Sequence, residues 1–269
     1  MSTDDKKIQE KALRAVLLNL LSEEWNKSAP EIGTKVHRIV KKITGKVDPY
    51  WKLKRKVNQM AADLYPKLKH IVETSTDPLF TAVKVSISGN AIDFGPKIEI
   101  NIEEEVQHVL ESELAINDFD KLRESTLRYG EVLYLADNAG ETYFDKILIE
   151  ELTELGVEVT YVVKGDPILN DATFEDAEET GITGIARVVS TGTDCMGIIF
   201  DECSKDFIEE FENSPLVISK GQGNYESLNE VKNKEVFFLL KAKCPIIAED
   251  LDVEIGSTVL KGTIYNENS

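Results

Sequence analysis

Five short apolar runs after residue 130 decide most of what this chain can fold into. "EVLYLAD", "EVTYVVKG", "ARVVST", "PLVISKG" and "EVFFLLK" are rich in β-branched residues and carry apolar side chains on successive positions. Strands buried on both faces read this way, and parallel sheets are built from them. Between the first two lies "GETYFDKILIEELTELG", apolar at helical spacing and ended by Gly156. Strand, helix and strand make a βαβ unit, and the alternation continues to about residue 248. The tail "STVLKGTIYN" alternates and reads as an edge strand. The predicted class is α/β: a three-layer sandwich around a mostly parallel sheet over residues 131–269.

Residues 1–130 read as a mostly helical subdomain packed against that sandwich. Ile8, Ala12, Leu13, Val16, Leu17, Leu20, Leu21 and Trp25 recur at helical spacing. "SAPE" opens a second helix, with Ser28 as cap and Glu31 completing a capping box. "DPYW" starts a third, where Asp48 caps and Pro49 suits the first turn. Asp77 and Pro78 repeat that signal, and two more helices are expected over 103–116 and 118–129. "SGNAIDFG", residues 88–95, reads as a loop in which Gly89 and Asn90 take left-handed backbone angles.

Charge narrows the partners. The formal net charge is −18, and nucleic acid and anionic membrane are both bound through clustered positive charge, so neither is expected. The basic stretch "KVHRIVKKITGKVDPYWKLKRK" reads as a solvated helix face. No apolar run approaches the roughly 18 residues needed to cross a bilayer, and the N-terminus lacks the basic start of a signal peptide. Cys195, Cys203 and Cys244 form no CxxC pair, and His37, His70 and His108 show no HxH or HExxH spacing. A zinc site is not expected, and any metal must be held by oxygen ligands. The expected setting is cytoplasmic, with reduced thiols.

In open parallel sheets, ligands bind beyond the carboxyl ends of the strands. After the first predicted strand come Asp137, Asn138 and Glu141; after the second come Lys164, Gly165 and Asp166, then Asn170 and Asp171. The fourth is followed by Ser219, Lys220 and the glycine-rich "GQG", the fifth by Lys241 and Lys243. Asp137, Asn138 and Asp171 are hard oxygen donors suited to Mg²⁺, Mn²⁺ or a similar ion. Glycine-rich turns offer backbone N–H groups to anions, and Lys220 and Lys243 can neutralise phosphate oxygens. Metal, lysine and amide donors together suit phosphoryl transfer, where positioning and charge stabilisation carry the catalysis. Each piece also has a plainer reading. Asp137 or Asn138 can cap the following helix, Asp171 the next one, and "GQG" can be a turn. Their co-location at one sheet edge favours the site. There is no GxGxxG after the first strand, no GxxxxGK[ST] and no GxSxG, which argues against dinucleotide, P-loop and serine-hydrolase sites.

Six stretches lie in one order along nearly the whole chain: "DPYWKLKRKVNQ" (48–59), "SISGNAIDFG" (86–95), "LADNAGETYFD" (135–145), "VVKGDPILNDATFEDA" (162–177), "SKGQGNYE" (219–226) and "KAKCPIIAEDL" (241–251). Together they resemble the damage-control phosphatases, the ARMT-like family, with "DNAGE" and "PILNDAT" the most specific pair. The resemblance implies a Rossmann-like α/β domain with a helical N-terminal region. It implies a divalent-metal-dependent phosphatase of small phosphorylated metabolites, sugar phosphates or damaged cofactor intermediates, working with Mn²⁺, Co²⁺, Ni²⁺ or Mg²⁺. It implies Asp137, Asn138 and Asp171 as metal ligands. Gly89, Asn90, Asp93, Glu141, Ser219, Lys220 and Lys243 are implied as phosphate-side and pocket residues, with Asn90 and Asp93 closing the site from the helical part. Members often begin with Cys-x-x-Cys; the N-terminus here has no cysteine, so no role tied to that motif is expected.

The expected chemistry is attack of a metal-polarised water on a phosphoryl group held by the ion and Lys243 or Lys220, with Glu141 orienting water or a substrate hydroxyl. Asp137 as a nucleophile is the variant. Two readings from other classes stand beside it: an S-adenosylmethionine-dependent carboxyl methyltransferase, and a sensor that binds a phosphometabolite without turning it over.

Overall fold

The computed structural model describes residues 3–23, 27–91 and 102–263. Trp25 of the expected first helix and Asp93 of the expected site lie outside them. Helices α1 (Lys6–Ser22), α2 (Ala29–Thr44), α3 (Trp51–Glu73), α4 (Pro78–Ala91) and α5 (Ile102–Glu111) come first, then β1 (Ile116–Asn117) and α6 (Phe119–Tyr129). The alternating part follows: β2 (Glu131–Leu135), α7 (Thr142–Glu154), β3 (Glu158–Val163), α8 (Phe174–Thr180), β4 (Arg187–Ser190), α9 (Lys205–Asn213) and β5 (Leu216–Lys220). It ends with α10 (Gln222–Leu228), β6 (Glu235–Lys241), α11 (Pro245–Leu251) and β7 (Thr258–Thr263).

The strands form one sheet in the order β1-β7-β6-β5-β2-β3-β4. Every pairing is parallel except β6 with β7. The chain runs outward from β2 through β3 to β4, then returns to lay β5 and β6 on the other side of β2. Strand order therefore reverses between β2 and β5, the point beyond whose carboxyl ends sheets of this kind bind ligands.

Alternation along the strands feeds two cores. Tyr134, Tyr161, Ile218 and Phe237 face a layer built from α3, α4 and α7, with Val72, Val83, Ile87 and Phe144 fully buried there. Leu133, Val162, Val217 and Phe238 face α9, α10 and α11, against Phe207, Tyr225 and Ile247. The result is the expected three-layer, Rossmann-like α/β sandwich. The capping box at Ser28 and Glu31 is present.

Four expectations are corrected. The tail strand is not an edge: β1 pairs with its free side, Ala115 N donating to Thr258 O at 2.9 Å and Asp118 N to Leu260 O at 3.0 Å. Gly89 and Asn90 are not in a left-handed loop but in the last turns of α4, because the apolar run "AVKVSIS" is buried on all sides and carries the helix through them. Asp48 does not cap α3; its carboxylate accepts from Tyr50 N at 2.8 Å, and Tyr50 holds the cap position. The basic stretch is not simply solvated. Lys41 pairs with Asp194, Arg38 with Asp194 and Glu202, and Lys54 with Asp176, so it ties the helices to acidic loops beyond the sheet.

Candidate active site

Beyond β2 the chain passes through Ala136 and Asp137 into a short 3-10 turn, Ala139–Glu141, that leads into α7. The loop after β3 folds back onto this turn. Ala139 N donates to Asn170 O and Ala172 N to Asp137 O, both at 2.8 Å. That bridge sets Asn138 against Asp171 and brings two carboxylates and a carboxamide to one point beyond the carboxyl ends of the strands. From the β5 side, Gly221 makes room. Its φ is +80°, and a Cβ built there would lie 1.9 Å from Asp137 Oδ2, so only glycine serves.

The capping readings of Asn138 and Asp171 fail on geometry, while the glycine turn is present at Gly221. Asn138 makes no capping bond; its Nδ2 donates to Asp137 Oδ2 at 3.0 Å and to Glu141 Oε1 at 2.6 Å. Asp171 does not cap α8, because Thr173 and Asp176 form that capping box. Asn90 reaches in from the end of α4. Its Nδ2 donates to Asp137 Oδ2 at 2.8 Å and Glu141 Oε1 at 3.1 Å, while its Oδ1 accepts from Lys241 N at 3.2 Å.

The cluster carries more negative charge than its surroundings offset. Burial, reinforced by the Glu141 and Asp171 charges, pushes Asp137 well above the usual carboxylate range, against the pull of Lys243 and Lys220. Burial likewise raises Asp171 to about 6, although Lys164 and Lys54 oppose it. Lys164 is the cation nearest Asp171 that pairs with it, at 3.9 Å, and its ammonium donates to Gly197 O at 2.6 Å. Among the described residues no three His, Cys, Asp or Glu side chains gather as a metal-holding group. The set Asp137, Asn138 and Asp171 reaches three donors by way of the carboxamide.

The remaining expected residues divide. Glu141 is fully buried and joins the cluster. Lys243 is exposed, and its positive charge acts on Asp137. Lys220 has no exposed surface; its ammonium donates to Asp145 Oδ1 at 2.6 Å and Glu141 Oε2 at 3.1 Å. Ser219 lies on the strand face that carries Val217 in the second core, and its hydroxyl is buried without a partner. Gly89 serves packing, since a Cβ there would meet Phe144 at 3.0 Å.

Sequence reasoning passed over Asp145 and its partners. Asp145 is fully buried and accepts from Tyr134 at 2.7 Å, Ser86 at 3.0 Å and Tyr161 at 2.9 Å. The signal was available: Asp145 follows Glu141 by one helical turn, so the two share a face. The tyrosines stood inside apolar runs and read as core.

The chain is similar to known proteins along almost its full length. The damage-control phosphatase ARMT1-like domain matches residues 1–259. A damage-control phosphatase of Pyrococcus horikoshii is 38% identical over 263 residues, 96% of this chain and 90% of its own length. A damage-control phosphatase of Archaeoglobus fulgidus is 39% identical over 252 residues, 91% of this chain and 86% of its own. An uncharacterized protein of Methanocaldococcus jannaschii is 40% identical over 270 residues, covering 96% and 88%. The crystal structure of a DUF89 family protein from P. horikoshii superposes with a TM-score of 0.87 at 37% identity, over 96% of this chain and 91% of that one. With the family model matching residues 1–259 and relatives 38–40% identical over more than nine-tenths of its length, this chain belongs to the damage-control phosphatase ARMT1-like family.

Proposed function

We propose that this protein is a divalent-metal-dependent phosphatase that removes phosphate from small phosphorylated metabolites, sugar phosphates or damaged phosphometabolites. The observation that carries the reading is the meeting of Asp137, Asn138 and Asp171 at the sheet's switch point, with both carboxylates pushed upward chiefly by burial and further by the Glu141 charge. A divalent cation fits this donor set. All its atoms are hard oxygens, and the buried negative charge lacks a matching counter-charge. Mn²⁺, Co²⁺, Ni²⁺ and Mg²⁺ all suit such ligands, which discriminate poorly among them.

Such an ion supplies positive charge to the phosphoryl oxygens and acidifies water. The chain's own residues do the rest. Asn90 and Asn138 hold Asp137 by donating to its Oδ2. Lys243, exposed and acting electrostatically on Asp137, is placed to meet the substrate's phosphate. Lys220 is committed to Glu141 and Asp145, so Lys243 rather than Lys220 is the phosphate-side lysine in this account. The three cysteines are free thiols, which supports the cytoplasmic setting we propose; no helix among the described residues is long and apolar enough to cross a membrane.

The test is phosphate release from a panel of sugar phosphates and damaged phosphometabolites. Protein stripped of metal is given each ion in turn, beside Asp137→Ala and Asp171→Ala. Release restored by metal and lost in both variants supports the reading. Folded protein that releases no phosphate with any ion, yet binds S-adenosylmethionine, would replace it with the methyltransferase reading.

A further inference from the structure

A chain of charges runs inward from the candidate site, and it has a direction. Glu141 Oε1 accepts from the carboxamide nitrogens of Asn138 and Asn90 at 2.6 and 3.1 Å. Its other oxygen accepts from Lys220 at 3.1 Å. Lys220 in turn donates to Asp145 Oδ1 at 2.6 Å, and Asp145 is fixed from behind by Tyr134, Tyr161 and Ser86. Glu141, Asp145, Lys220, Tyr134, Tyr161 and Ser86 are all fully buried.

The polarity of this chain sets the orientation of an amide. A carboxamide has a donor end and an acceptor end, and its neighbours decide which way it turns. Asn138 spends its nitrogen on two carboxylates, Asp137 and Glu141, so its oxygen is the end left for a ligand. An ionised Glu141 can only accept, and Lys220, which can only donate, fills its second oxygen. A lysine buried so completely is costly unless paired on every side, and here two carboxylates pair it.

We propose that Glu141 is a positioning residue, held by a Lys220–Asp145 strut, which turns the Asn138 carboxamide so that its oxygen is available to the cation. The proposal rests on the metal reading above and assigns Lys220 and Asp145 a task within it. Lys220 then touches neither substrate nor ion; it keeps Glu141 in place.

Removing a cation near a metal site should, by charge alone, tighten metal binding. The strut requires the opposite. Mn²⁺ binding is measured by calorimetry on metal-stripped protein, with folding checked by circular dichroism and thermal melting. Lys220→Met is expected to weaken Mn²⁺ about tenfold or more, the usual effect of losing a partner behind a ligand. The double variant Lys220→Met with Asp145→Asn leaves the net charge unchanged and buries no unpaired carboxylate at position 145, so it folds more readily; the same weakening is expected. Glu141→Asp keeps its charge but shortens the reach, and is also expected to lose about tenfold. At saturating Mn²⁺ the KM for substrate should stay near the wild-type value in all three. Unchanged or tighter Mn²⁺ binding in the folded variants overturns the proposal, as does a raised KM with unchanged metal affinity, which would make Lys220 a phosphate ligand. Wild-type protein that binds no Mn²⁺ overturns the metal reading and this proposal together.

Discussion

Asp171 and Asp176 lie on the same loop and helix, are buried to nearly the same degree, at 7% and 5% exposure, and titrate in opposite directions. Burial pushes Asp176 up, but the Lys54 ammonium and the hydrogen bonds from Thr173 outweigh it and hold the carboxyl below its usual range. Its oxygens take Lys54 at 2.8 Å, Thr173 N at 2.8 Å, Thr173 Oγ1 at 2.7 Å and Asn58 Nδ2 at 3.0 Å. Asp171 has its lysine at 3.9 Å, and burial carries it to about 6. One carboxylate is finished by the fold. The other keeps only a long pair with Lys164, and it is this acid that the proposed function offers to a divalent cation.

Substitution should break the comparison cleanly. Asp171→Ala or Asp137→Ala is expected to lower phosphate release by about a thousandfold or more, since the cation's charge stabilisation goes with them, while the melting temperature of metal-free protein holds or rises. Gly221→Ala attacks the same site from the backbone. Its φ of +80° and the 1.9 Å approach to Asp137 Oδ2 leave no room for a methyl group, so Asp137 must move. A loss of about a hundredfold in kcat/KM is expected for such a displacement, with a stability loss of about 1–3 kcal/mol by denaturant titration from the strained backbone.

Asp176→Asn is the counterpart. Breaking a buried pair and stranding Lys54 should cost about 3 kcal/mol of stability, read by urea unfolding, while kcat per folded molecule is unchanged. A matching loss of activity would erase the distinction between the two acids.

The smallest effect is in pH. Asp176 has a depressed folded pKa, so its contribution is present above the unfolded value of about 3.9 and fades as pH falls through the folded one. Asp171 has a raised one. Its contribution to the metal-free protein is present below about 3.9 and lost as pH rises through about 6. Mn²⁺ needs both carboxylates ionised, so its affinity should climb by about tenfold per pH unit for each one still protonated, through about 6 for Asp171 and onward while Asp137, also raised, gives up its proton. A flat profile between pH 5 and 7 would contradict this account of Asp171.

The sequence made the carboxyl-edge chemistry legible because Asp137, Asn138 and Asp171 each follow a strand whose β-branched run is unmistakable. The run "AVKVSIS" also carried a signal, but "SGN" after it has the composition of a turn, so the helix that delivers Asn90 was read as a loop. The two-residue strand at Ile116 is too short for any periodicity to mark. Lys220, beside a glycine-rich turn at the sheet edge, reads in sequence as a cation for phosphate oxygens; only packing shows it turned inward against Asp145. The tyrosines behind Asp145 look like core in sequence, and their hydroxyls declare themselves only when a buried acid needs donors.

The most direct test of the central claim sets Asp171→Asn beside Asp176→Asn at equal concentrations of folded protein, with phosphate release measured under saturating Mn²⁺. The account predicts that Asp176→Asn stays within about twofold of wild type while Asp171→Asn falls about a hundredfold or more. Equal activity in the two variants, or a retained rate in Asp171→Asn, would show that the weakly paired carboxylate at the sheet edge is not where the reaction happens.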